Sequence, residues 1–131
     1  MGLDNGIEVK RNEYTNNIPE LKRFEESWDT KHEYDFEITH FRKCYNVRHM
    51  VFNTIKHAYD NGISAPLTIE DINNIIKCLQ SFNSHNWQEY GGSIWDWDEY
   101  KDHIKQSIKN LKLLVELMKK YDLEVYFYDS Y

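Results

Sequence analysis

The chain has 131 residues, 40% of them hydrophobic and 15% aromatic, with five glycines and two prolines; this supports one folded core of ordinary domain size and excludes a disordered or collagen-like chain. Twenty-two acids against sixteen lysines and arginines give a formal charge of −6, which excludes a protein that coats nucleic acid through a general positive surface. No apolar run approaches the roughly 18 residues of a membrane span, and "MGLDNG" carries neither signal-peptide regions nor, with Gly6 in place of Ser or Thr, a myristoylation pattern, so the cytoplasm is the expected compartment.

"GIEVKR", residues 6–11, alternates after a glycine and predicts a first strand. Residues 12–31 are polar, and within them "IPELKRFEESW" predicts a short helix with Pro19 in its first turn and Leu21 and Phe24 on one side. "HEYDFEI", 32–38, alternates aromatics and acids, as a second strand or an extended lead-in would. From Ile38 to Asn61, Phe41, Tyr45, Phe52, Ile55 and Tyr59 recur at spacings of three, four and seven, predicting a first long helix that Gly62 ends as a C-cap. "PLTIEDINNIIKCLQSF" predicts a second helix over 69–82, with Thr68 as N-cap, Asp71 three residues on, and Ile72, Ile75, Ile76, Leu79 and Phe82 as its buried stripe.

A third helix is predicted over 98–121, with Ile104, Ile108, Leu111, Val115 and Met118 on one face, acids in the first turn, and Lys119 and Lys120 in the last. The closing "LEVYFYDSY" reads as a strand pairing near the first. The expected fold class is α+β: three amphipathic helices packed on a small antiparallel sheet that includes the N- and C-terminal strands, in a single domain over 1–131. Cys44 and Cys78 fall in helical patterns without a CxxC neighbour, so reduced, buried thiols are expected.

Charge is unevenly spread. "ITHFRKCYNVRHMVFNTIKHAY" contains no acid, and at about 100° per residue Arg42, Asn46, His49, Asn53 and Lys56 fall on one stripe opposite the apolar arc. These cations either pair with acids elsewhere in the chain or hold an anion. Arg48 falls inside the apolar arc, between Tyr45, Phe52 and Ile55, where an unpaired guanidinium is costly; a buried carboxylate or a ligand anion must meet it. His40 and Cys44 could share a face, but no second pair completes a tetrahedral metal set. No nucleophile elbow, Walker loop or dinucleotide fingerprint occurs, so neither a metal, a cofactor nor catalysis is expected.

"NWQEYGGSIWDWDEY", 86–100, concentrates Trp87, Tyr90, Trp95 and Trp97 around Gly91, Gly92 and Ser93. Any one of these rings is accounted for by core packing. Together, aromatic planes beside backbone N–H groups at a helix start suit a nucleotide, whose base stacks while its phosphates are held, or a protein partner.

"MGLDNGIEVK", "YDFEITHFRKCYNVRH", "GGSIWDWDEY" and "YFYDSY" together resemble a group of small, largely uncharacterised proteins of bacteriophages and prophages that begin Met-Gly-Leu-Asp. The resemblance spans most of the chain and covers Gly2, Leu3, Asp4, Arg42, Lys43, Gly92, Ser93, Tyr100 and Ser130, departing at Tyr45 and Arg48, where the group tends to have Asn and His. It implies a phage origin, the host cytoplasm, and interference with host defence. On that footing the leading expectation is a sponge, a homo-oligomer that sequesters a nucleotide-derived immune signal. Its ligand-binding residues would be Arg42, Lys43, Tyr45, Arg48, His49, Trp87, Tyr90, Gly92, Ser93, Trp95 and Tyr128. The alternative is an inhibitor that binds a defence effector protein, as an anti-CRISPR or nucleic-acid mimic does, through acids such as Asp96, Asp98, Glu99 and Asp102. A nucleotide-degrading enzyme using histidines such as His49 is a third, minor reading.

Overall fold

The structure, a computed structural model, describes residues 4–57, 64–87 and 96–130. Strand β1 (Asp4–Val9) lies between β2 (Phe36–Arg42) and β4 (Val125–Ser130), and β4 also pairs with β3 (Ser64–Pro66); every pairing is antiparallel, in the order β2-β1-β4-β3. The first and last strands thus share one sheet, as their β-branched and aromatic content predicted. β3 carries no sequence pattern of its own, being three residues long.

Register assigns each side chain to a face. Ile7, Val9, Phe36, Phe41, Ala65, Val125 and Phe127 are buried beneath the helices, with Asn5, Thr39 and Asp129 among them. The second face forms three rows: Glu37, Glu8 and Tyr126; His40, Gly6 and Tyr128; Arg42 and Asp4. Between Ile7 and Glu8 the register slips and leaves Ile38 unpaired, a β-bulge that turns both Ile38 and Thr39 inward and breaks the alternation of "FEITHF". The bulge also explains Gly6. A Cβ there would run into the Thr39 carbonyl oxygen and stand 2.8 Å from the Tyr128 ring, so only glycine fits beneath that tyrosine.

Helix α1 (Glu13–Asn16) is one turn closed by an Asn12–Thr15 capping box, and Pro19–Phe24 forms a 3-10 turn that starts at Pro19 and buries Leu21 and Phe24. The long helices are α2 (Tyr45–Thr54), α3 (Ile69–Ser81) and α4 (Trp97–Lys120). α3 and α4 match their predicted spans within a residue or two, and every apolar position predicted for the α3 stripe is buried. The reciprocal capping box is present: Asp71 N–H donates to Thr68 Oγ1 at 3.1 Å, and Thr68 N–H to Asp71 Oδ2 at 2.9 Å. α4 lies along β2, with Thr39 Oγ1 and Ser107 Oγ hydrogen-bonded at 2.6 Å; a small residue at 107 allows that close approach.

The first long helix requires correction. Residues 38–42 belong to β2, Lys43 turns the chain in a left-handed conformation (φ 49°), and α2 begins only at Tyr45. Phe41 and Tyr45 do lie four apart, but a strand and a turn separate them from one helical face. The polar stripe dissolves with that boundary, because Arg42 stands on the sheet and Asn46 is buried beside Val47, Met50 and Val51. Three helices of ten residues or more are therefore present among the described residues, but the first is short and only weakly amphipathic. The Gly62 cap lies outside the described residues. Cys44 is a buried free thiol preceding α2, whereas Cys78 is only half-buried, facing Thr54 Oγ1 at 3.3 Å.

Candidate functional site

The end of β2, the start of α2 and the start of α4 meet at one end of the molecule. His103 Nε2 of α4 donates to the His40 carbonyl at 2.6 Å, and its ring lies 5.7 Å from Phe41 and 5.0 Å from Tyr100. Asn46, in the first turn of α2, donates its amide to the Trp87 carbonyl, and the Trp87 and Trp97 rings stand 5.5 Å apart. Trp87 is therefore fixed against the α2 start, and the first residue of α4, Trp97, packs on it. Asp4 pairs in register with Arg42 on one side and Ser130 on the other. Of the residues that carried the phage-protein resemblance, those within the described chain gather at this same end.

The electrostatics of the α2 start favour an anion. No side chain caps the helix, its first turn holds no acid, and Arg42 and Lys43 precede it directly. A helix start with unsatisfied N–H groups carries about half a positive charge. Lys43 makes no ion pair among the described residues. Asn46 is 1% exposed and leaves its Oδ1 without a hydrogen bond, a buried acceptor in the same turn.

The predicted site residues divide accordingly. Lys43 and Tyr45 are half-buried at the corner and His49 is exposed, its ring 6.1 Å from that of Tyr45. Arg42 is exposed at the strand end. Arg48 is met by a carboxylate of the chain, the first of the two partners open to it: its Nε lies 3.0 Å from both oxygens of buried Asp129, and its guanidinium stands 4.6 Å from the Phe52 ring centre. Trp87 is a core residue, 2% exposed, packed on Phe82, Trp97 and Tyr100. Tyr128 lies on the second sheet face over Gly6, and burial pushes its hydroxyl pKa up. Tyr90, Gly92, Ser93 and Trp95 lie outside the described residues.

Sequence reasoning missed the carboxylate cluster on the second face. Glu8 and Glu37 stand directly opposite each other on β1 and β2, where like charges repel. Burial, then the charges of Glu37 and Asp35, push the Glu8 pKa up to about 7. The Glu37 pKa is raised chiefly by burial, with Glu26 and Asp4 adding to it and His40, 3.5 Å away, opposing. An alternating glutamate in a strand reads as a solvated face, and only the register brings these two together. No group of three or more potential metal ligands occurs among the described residues. No protein-family model matches the chain, and no curated protein or solved structure is significantly similar to it. No described helix is long and apolar enough to cross a membrane.

Proposed function

We propose that the protein is a binding module that captures a nucleotide-derived signalling molecule of host defence, holding its phosphates at the start of α2. The observation that carries this reading is the acid-free, uncapped α2 start behind Arg42 and Lys43, anchored through buried Asn46 to the chain where the aromatic segment departs. Lys43, Tyr45 and His49 supply charge and an aromatic edge, and the unsatisfied Asn46 acceptor suits a sugar hydroxyl or base amino group. Arg48 supports the corner from behind through Asp129. The phage-protein resemblance is what points this reading to a ligand of bacterial immune signalling, and a sponge of this kind would be a homo-oligomer.

Thermal-shift screening against cyclic di- and trinucleotides and ADP-ribose derivatives tests this reading. A ligand at a hundred times its Kd adds about 2.7 kcal/mol and raises the midpoint by several degrees. Lys43→Ala abolishes that rise and leaves the unliganded midpoint unchanged, and ligand recovered after denaturation is chemically intact. A screen without any shift, or recovery of cleaved ligand, overturns it.

A further inference from the structure

The opposite end of the sheet, where β1 ends and β4 begins, carries two adjoining grooves that share Glu124. The first, of about 600 Å³, is floored by Pro66, Leu67, Leu123 and Val125, with Asp35 at its side and the exposed Lys10–Glu124 pair at its rim. The second, of about 540 Å³, runs past Glu13, Tyr14 and Asp122. Residues 8–37, which form much of this end, hold nine acids against five lysines and arginines. Glu8, Glu13, Asp35 and Asp122 make no ion pair among the described residues. The three large hydrophobic residues exposed among the described residues, Tyr14, Trp28 and Tyr34, all fall in this segment. The Trp28 and Tyr34 rings pack edge to face at 4.8 Å, and Tyr34 directly precedes Asp35.

An apolar floor walled by carboxylates and flanked by exposed aromatics selects a ligand that is greasy and positive at once. We propose that this end docks an extended segment of a partner polypeptide in which aliphatic residues alternate with arginine or lysine. An aliphatic side chain fills the Leu123–Val125 groove, and the neighbouring cations meet Glu124, Asp122 and Glu13, with aromatic rings available to guanidinium groups. The sheet does not add this segment as a further strand: the β2 carbonyls of Ile38 and His40 are occupied by α4 side chains, and β3 presents Pro66. Docking is therefore through side chains.

Fluorescence anisotropy with a short labelled peptide of arginine and leucine tests the proposal, alongside peptides with glutamate for arginine or glycine for leucine. The arginine–leucine peptide binds and weakens with added salt, and both control peptides bind far less. The exposed triple variant Glu13→Gln/Asp122→Asn/Glu124→Gln keeps its melting temperature and loses about tenfold in affinity, as expected for several rim charges removed together. The Leu123 and Val125 methyl resonances shift on titration. Equal binding of either control peptide, no binding at all, or unchanged affinity in the triple variant overturns the proposal. A loss in Lys43→Ala as large as in the triple variant also overturns it, placing the peptide at the α2 corner instead.

Discussion

At the scale of single residues, Arg48 and Glu8 are the informative positions. Arg48 stands between Phe52 and Asp129, and replacing it by methionine leaves the Asp129 carboxylate buried without its cation. Arg48→Met should cost about 3 kcal/mol in urea unfolding, and Arg48→Met combined with Asp129→Leu should recover part of that loss, because removing both partners leaves no orphaned charge. Neutralising Lys43 instead should leave stability level, so the two cations of one corner separate into a structural and a ligand-facing group. Glu8 carries a pH signature. Its folded pKa, about 7 against an ordinary 4.5, means that the folded state keeps a proton the unfolded chain has released. Stability is therefore greatest below 4.5 as far as this group is concerned and falls as pH rises to about 7, by on the order of 1 to 2 kcal/mol after solvent screening. Glu8→Gln should flatten that slope and raise the melting temperature at pH 8; an unchanged slope would remove Glu8 from the account.

At the scale of elements, local sequence succeeded where a helix has its own start signal and a single uninterrupted stripe. α3 has both, and its cap is separable from its packing: Thr68→Ala removes the acceptor for Asp71 N–H without touching the buried isoleucines and should cost about 1 kcal/mol by chemical denaturation. α2 has neither. No capping residue marks its start, and a strand residue, Phe41, happens to stand one helical turn before Tyr45. α4 does more than pack, since Asn110 and His103 place polar side chains on the β2 edge carbonyls at 3.0 and 2.6 Å. That closes an edge which would otherwise template pairing with another chain.

At the scale of the whole molecule, the two ends of the sheet carry opposite character: an acid-free helix start at one, acid-walled grooves at the other. A net charge of −6 averages these away, which is why the composition pointed to neither. Homo-oligomerisation, which belongs to the sponge reading, meets a β2 edge whose Ile38 and His40 carbonyls are already bonded, so helical or corner surfaces are its expected interface. Light scattering is expected to give at least a dimer whose mass is unaffected by the triple variant at the grooved end; a monomer at working concentration would count against that reading.

The sequence by itself determined the fold class, the closing of the sheet by its first and last strands, the Pro19 turn, and the two helices whose apolar positions recur without interruption. These are properties of contiguous residues, where periodicity and capping act within a few bonds. Tertiary structure alone decided that β2 runs on to Arg42, that Asp129 meets Arg48 from 81 positions away in the chain, that Asn46 reaches Trp87, and that Glu8 faces Glu37. Each of these depends on strand register or on a long chain closure, and a register set by one bulge at Ile38 moves side chains between faces without leaving any trace in local composition.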